Sequence, residues 1–272
     1  MNFIQSINKA RKQNNSFLCV GLDPDTSKFP RELLSGSSPL FTFNKAIIDA
    51  TADLVCCYKP QIAYYAAIGA EDQLKLTIDY IHKNYPDIPV ILDAKRNDIG
   101  STAQMYAKEA FVRYEADALT VNPFMGSDTL VPFLEYQDKG VIVLCKTSNP
   151  GSADFQNRLI DGEPLYMLIA EKAQRQWNKF ENVCIVVGAT YPEEMKAIRE
   201  TAPSITFLVP GIGAQGGDIV SVMKNGIDGS GGGLIINSSR AIIHAVSSMD
   251  FADRARDAAI RQRDAINNAK SV

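Results

Sequence analysis

Histidine and tryptophan are nearly absent from this 272-residue chain, which has 2 histidines, His82 and His244, and 1 tryptophan. Neither histidine stands near a Cys, Asp or Glu at metal-ligand spacing, which disfavours zinc hydrolysis and Ser-His-Asp chemistry from the outset. The 5 cysteines include no C-x-x-C pair. Their odd number, and the apolar runs around Cys19, Cys56, Cys57, Cys145 and Cys184, predict small buried hydrophobes kept reduced. No stretch approaches about 18 continuous apolar residues, and the amino-terminal MNFIQSINKARKQNNS has no apolar run of export-signal length. The expectation is a cytoplasmic protein that is neither exported nor anchored to a membrane. A large charge imbalance is missing as well: Lys+Arg 28 against Asp+Glu 31 leaves a formal net charge of -3. No positive field therefore argues for nucleic acid or a membrane surface, and any anionic ligand must be held by a local site.

What is present is regular. Apolar, β-branched runs of strand length recur at residues 17–21, 54–58, 89–92, 118–121, 141–144, 183–187, 205–209 and 234–236. Segments with helical spacing lie between and after them, at 44–52, 72–83, 102–113, 127–136, 166–180, 192–201, 218–225 and 241–248. Thr190-x-x-Glu193 has the form of a capping box with Pro192 in the first turn, and Gly226 stands as a helix stop. Continuous rather than alternating apolar strands imply a parallel sheet buried on both faces. Eight β/α units predict an α/β fold, a closed (β/α)8 TIM barrel in a single domain over residues 1–272 with short N-terminal and C-terminal helical extensions. A doubly wound open sheet is the alternative. The tail at 251–272 carries Ala and Ile at helical spacing among charges and reads as a packed terminal helix. Two long connections, 23–40 and 148–164, both follow a strand's carboxyl end, the active face of such a barrel.

The informative residues are charges placed where apolar strands run out. Asp23 ends FLCVGLD, Lys59 ends LVCCYK, Asp93 and Lys95 end PVILDAK, and Asp98 follows three residues later. Positions two apart on a strand share a face, so Asp93 and Lys95 are expected to occupy one small space. Burying each charge singly would cost on the order of several kcal/mol, so these groups are paired or line a functional pocket. One Asp-x-Lys is explained by an ion pair at a barrel mouth. Charges converging from three strand ends favour a site. PGIGAQGGD at residues 210–218 and INSSRAII at 236–243, with Arg240 at the opening of the last helix, follow the seventh and eighth strands, the usual phosphate position. TSNPGS at 147–152 adds hydroxyls and exposed backbone suited to a planar polar ring, although an ordinary turn reads the same way.

DAKRNDIGST, PGIGAQGGD and the late SSR together resemble the orotidine 5'-monophosphate decarboxylase family. Its Asp-x-Lys-x-x-Asp signature is matched by Asp93, Lys95 and Asp98, and YKPQIAYY is similar to the bacterial branch with longer loops. The resemblance runs in order from Asp23 to Arg240 and implies a decarboxylase acting on a nucleotide in pyrimidine synthesis, with no cofactor and no metal. It implies that Lys95 stabilises and protonates the C6 carbanion and that Asp93 sits beside the leaving carboxylate. Lys59 and Asp23 contact ribose hydroxyls, and Asp98 and Thr102 reach the site of the partner in a homodimer. Ser148 binds the pyrimidine amide edge, and Gln215 bridges pyrimidine and phosphate. Arg240 clamps the phosphate, with backbone at Gly216 and Ser239 beside it. Two departures stand out: many relatives carry proline in place of Gly100 and glycine in place of Ser239.

Rival readings remain at this point. A Mg-dependent sugar-phosphate decarboxylase or hexulose-phosphate synthase of the same wider barrel group also uses Asp-x-Lys after its third strand, but this chain offers Lys59 where an additional acid would stand. A Schiff-base aldolase conflicts with carboxylates that keep Lys59 and Lys95 protonated. A catalytically inactive nucleotide-binding barrel is the reading of another class.

Overall fold

A computed structural model describes residues 1–212 and 217–270. Eight parallel strands form one sheet: β1 (Leu18–Leu22), β2 (Cys57–Pro60), β3 (Ile91–Arg96), β4 (Ala118–Val121), β5 (Gly140–Lys146), β6 (Val183–Val187), β7 (Thr206–Val209) and β8 (Leu234–Ser238). The order around the sheet is consecutive, with β1 beside β8. Parallel bridges Tyr58↔Val90 and Gln61↔Asp93 join β2 to β3 and close the circle. This is the expected (β/α)8 barrel, and closure rules out the open sheet.

Val, Ile, Leu and Cys fill these strands because both faces are covered. One face points into the barrel, where Cys19, Cys57, Ile91, Ala118, Ile142, Cys184, Leu208 and Ile235 form a buried cluster. The amino-terminal helix, Phe3–Gln13, adds Phe3 and Ile7 to that cluster, and Phe3 N–H donates to Asp138 O just ahead of β5 at 3.0 Å. It therefore stops the end of the barrel opposite the strand termini that carry the charges. The other face packs against the surrounding helices in a larger apolar layer. All five cysteines are free and buried. Among the described residues, no helix is long and apolar enough to cross a membrane.

Local departures from the expected elements have identifiable causes. β2 begins at Cys57 because Ala52–Leu54 makes a 3-10 turn, so Lys59 lies inside the paired strand. The segment 127–136 is split into a 3-10 turn, Ser127–Thr129, and one short helix, Val131–Leu134, with Pro132 in its first turn. Helix 241–248 shrinks to Arg240–Ile243 because His244 leaves the helical region and packs against Phe43, which in turn stacks on Phe29 and Phe251. The capping box does not form: Tyr191 occupies the cap of helix Pro192–Thr201, and the Thr190 hydroxyl donates to Ser148 O at 3.4 Å. Gly226 is the last residue of helix Ile219–Gly226 rather than a stop beyond it, and a side chain there would meet Leu234 and Met195. The terminal helix, Phe251–Lys270, packs as expected through Ala255, Ala259 and Ile266.

Candidate active site

The carboxyl ends of β2 and β3 bring three of the expected charges into contact. Lys59 Nζ lies 2.8 Å from Asp93 Oδ2, and Lys95 Nζ lies 2.7 Å from Asp93 Oδ1. Lys59 and Asp93 are 5% and 7% exposed, which makes this a buried pair, whereas the Lys95 side chain reaches toward solvent. Burial opposes ionisation of Asp93, but the charges of Lys59 and Lys95 outweigh it and hold the carboxyl well below the usual range. Burial likewise opposes the charge on Lys59, and Asp93 with Asp23 outweighs it, raising that ammonium above its ordinary value. Lys59 and Asp93 thus rest as an ammonium and a carboxylate at neutral pH.

Regular strand alternation does not produce this contact. Lys95 has φ 48, in the left-handed region, and the pairing of β3 with β4 shifts register between Leu92 and Arg96. A non-glycine residue held there stores backbone strain. Thr120 on β4 supports the kink: its hydroxyl oxygen accepts from Ala94 N at 3.0 Å and Lys95 N at 2.9 Å, and its proton goes to Asp93 Oδ1 at 2.8 Å. Nothing in the sequence singles out Thr120, which sits inside an apolar strand and looks like an ordinary β-branched strand residue.

Asp23, at the end of β1, contributes long-range charge to Lys59, and its Oδ1 is buried without a hydrogen-bond partner. Asp23 also lines a polar cleft of about 160 Å³ with Gly211, Ile212, Asn237, Ser239 and Arg240. The described ends of the β7 and β8 connections, at Gly211 and Ile212 and at Ser239 and Arg240, thus meet beside Asp23. A side chain at Gly21 would lie 1.8 Å from Ser239 Oγ, so the bare β1 backbone is what accommodates a serine before Arg240. Gln215 and Gly216 lie outside the described residues. His244, after β8, reaches instead the connection after β1, accepting from Asp25 N at 3.3 Å, and no spacing in the sequence signals that contact.

Ser148 lies at the other side of the barrel mouth, where β5 and β6 end. A side chain on Gly188 would fall 2.8 Å from Ser148 Cα, so glycine there permits the close crossing. Asp98 and Thr102 are not brought to the set within the chain. Asp98 accepts from Ile99 N at 2.8 Å, and Thr102 is exposed in helix Gly100–Lys108. Exposed Ile99 and Met105 flank them, at 58% and 57%. Among the described residues, no group of three or more His, Cys, Asp and Glu is placed to hold a metal ion.

The geometry provides a fixed anion between two cations, with a polar anion-sized cleft beside it. Known proteins share this arrangement's framework. The sequence model of the orotidine 5'-phosphate decarboxylase / HUMPS family matches residues 16–254. The orotidine 5'-phosphate decarboxylase of Cellvibrio japonicus is 55% identical over 273 residues and that of Ralstonia pickettii 53% over 271, each match covering 100% of both chains. The solved structure of Leishmania donovani OMP decarboxylase superposes with a TM-score of 0.86 at 37% identity, covering 100% of each chain. Leishmania donovani UMP synthase gives 0.86 at 39% identity, covering 98% of this chain and 57% of that one. With a match to the family model over most of its length and relatives above half identity end to end, this chain belongs to the orotidine 5'-phosphate decarboxylase / HUMPS family.

Proposed function

We propose that this chain decarboxylates orotidine 5'-monophosphate to uridine 5'-monophosphate and CO2, a step of pyrimidine nucleotide synthesis. The observation that carries the reading is the Lys59–Asp93–Lys95 contact, with both ammonium groups within 2.8 Å of one carboxylate at the barrel mouth. Loss of CO2 from pyrimidine C6 leaves an electron pair in an sp² orbital that no adjacent carbonyl delocalises. A fixed cation that bound substrate covers from water is the available stabiliser. Lys95 fills that role as the C6–carboxylate bond breaks: the pair stays on C6, and a proton from Lys95 Nζ forms the C–H bond. Asp93 sits beside the leaving carboxylate and disfavours it relative to neutral CO2.

The remaining roles are those that the family resemblance implies. The orphan oxygen of Asp23 suits a ribose hydroxyl, as buried polar atoms require a partner. Lys59 completes that edge. Arg240 and the backbone at Ser239 and Gly216 take the phosphate, Ser148 takes the pyrimidine amide, and Gln215 spans the two. Asp98 and Thr102 serve the site of a second subunit in a homodimer, a reading supported by the exposed Ile99 and Met105 around them. Free buried thiols fit a reducing cytoplasmic setting. The Mg-dependent sugar-phosphate reaction is disfavoured by Lys59, whose ammonium stands where that chemistry needs another acid.

The test is the ultraviolet absorbance change of orotidine 5'-monophosphate on incubation with the purified protein, with and without chelator. Conversion unaffected by chelation is expected. No conversion, or conversion restored only by Mg²⁺, overturns the proposal.

A further inference from the structure

Lys146 closes β5 as Lys59 closes β2, yet its ammonium meets no carboxylate among the described residues. It is 0% exposed. Its partners are neutral and come from the segments that follow β5 and β6. Nζ donates to Asn157 Oδ1 at 2.7 Å and to Ser152 Oγ at 3.2 Å, and it lies 4.2 Å from the ring centroid of Tyr191 and 5.6 Å from that of Tyr166. A buried ammonium without a counter-ion persists only where several acceptors and ring faces replace its water together. The cation therefore ties the long connection after β5 down onto the start of the helix after β6.

Ser148 lies within the stretch that this contact fixes. On one side of it, Thr147 N donates to Gln156 Oε1 and Gln156 Nε2 donates to Thr147 Oγ1, each at 2.9 Å. On the other, Ser152 N donates to Asn149 O at 3.1 Å, and Lys146 holds the Ser152 hydroxyl. Gln156 N in turn donates to Ser152 O at 2.8 Å, so both clamps form one unit. Release of the ammonium is expected to loosen the turn around Ser148, whereas Arg240 stands across the mouth in the cleft lined by residues after β1, β7 and β8.

We propose that Lys146 is a positioning residue: its buried cation holds the Thr147–Ser152 turn so that Ser148 meets the pyrimidine edge of the substrate. This rests on the decarboxylase reading above and adds to it a second lysine-ended strand, with a role different from that of Lys59. Lys146 does not touch substrate, and its effect passes through Ser148.

A double-mutant cycle tests it, with kcat and KM for orotidine 5'-monophosphate measured in wild type, Lys146→Met, Ser148→Ala and the double variant. Methionine keeps the unbranched shape and removes the charge. Each single change is expected to lower kcat/KM by roughly 10-fold or more, since small misplacements of an orienting group are costly. The double variant is expected to fall no more than about 3-fold below Ser148→Ala, because residues acting through one contact are not additive. Paired with Arg240→Ala, the Lys146→Met effect should multiply in full. Asn157→Ala, at an exposed position, loosens the same anchor and should couple to Ser148→Ala in the same sense if Lys146→Met does not fold. Near wild-type kcat/KM in Lys146→Met overturns the proposal, as do full multiplication with Ser148→Ala and an unaffected Ser148→Ala enzyme. An inactive wild type would instead count against the decarboxylase reading itself.

Discussion

The hydroxyl of Thr120 on β4 donates to Asp93 Oδ1 on β3 at 2.8 Å. The same oxygen accepts from the backbone of Ala94 and Lys95, so a single side chain both orients the carboxylate and supports the left-handed turn that presents Lys95. Replacing Thr120 by valine preserves shape and removes all three hydrogen bonds. Buried groups left unpaired cost about 1–3 kcal/mol each at most, so the variant should fold with reduced stability. Its kcat/KM should fall by roughly 10-fold or more, because Asp93 and Lys95 lose their common support. Denaturant melts and steady-state kinetics on the same preparation check both.

Asp93 links activity to acid stability. Its carboxyl is held below the ordinary value of 3.8, so it binds fewer protons in the folded than in the unfolded chain at acid pH. The stability it confers is complete above that ordinary value and is lost as pH falls toward its depressed folded value. Asp93→Asn leaves the Lys59 ammonium buried without its contacting anion, a loss of about 3–5 kcal/mol. The stability gap between wild type and Asp93→Asn should be flat between about pH 5 and 8 and should narrow below about pH 4. Denaturant titrations across that range check the sign.

Arg240 offers a comparison internal to the substrate. If its side chain takes the phosphate, Arg240→Ala should lower kcat/KM for orotidine 5'-monophosphate by roughly 10²-fold while barely changing turnover of the nucleoside orotidine. Equal losses for both would mean that the arginine supports the β8 loop only.

The separation of Asp98 from the charged set within one chain leads to a complementation experiment. If Asp98 serves the partner's site in a homodimer, as proposed, Lys95→Ala and Asp98→Ala homodimers should each be nearly inactive. A mixed dimer carries both defects in one site and neither in the other. Random exchange makes about half the dimers mixed, so activity should return to roughly a quarter of wild type. Confirmed exchange without recovery would show that Asp98 serves its own chain.

Much of this site is legible in the sequence because charge is costly to bury. Lys59, Asp93 and Lys95 each interrupt an apolar run, and that anomaly needs no knowledge of the fold. Lys146 carries the same signal in VIVLCK but is overshadowed by the hydroxyl-rich turn that follows it. Thr120 gives no signal, since a threonine inside a strand satisfies β propensity on its own. The left-handed backbone of Lys95 is equally hidden, as it arises from strand pairing with β4 rather than from local preference. The eight-unit alternation predicts the barrel, whereas the short helix after β8 depends on His244 joining the Phe29, Phe43 and Phe251 cluster, a tertiary contact.

The proposed chemistry rests on the Lys95 ammonium, which stabilises the developing carbanion and supplies its proton. Single-turnover decarboxylation by Lys95→Ala, with product-nucleotide affinity measured in parallel, tests it most directly. A loss of at least roughly 10²-fold in the chemical step is expected, with binding still measurable, because a preorganised charge is removed from the transition state. A Lys95→Ala enzyme that turns over near the wild-type rate would contradict it.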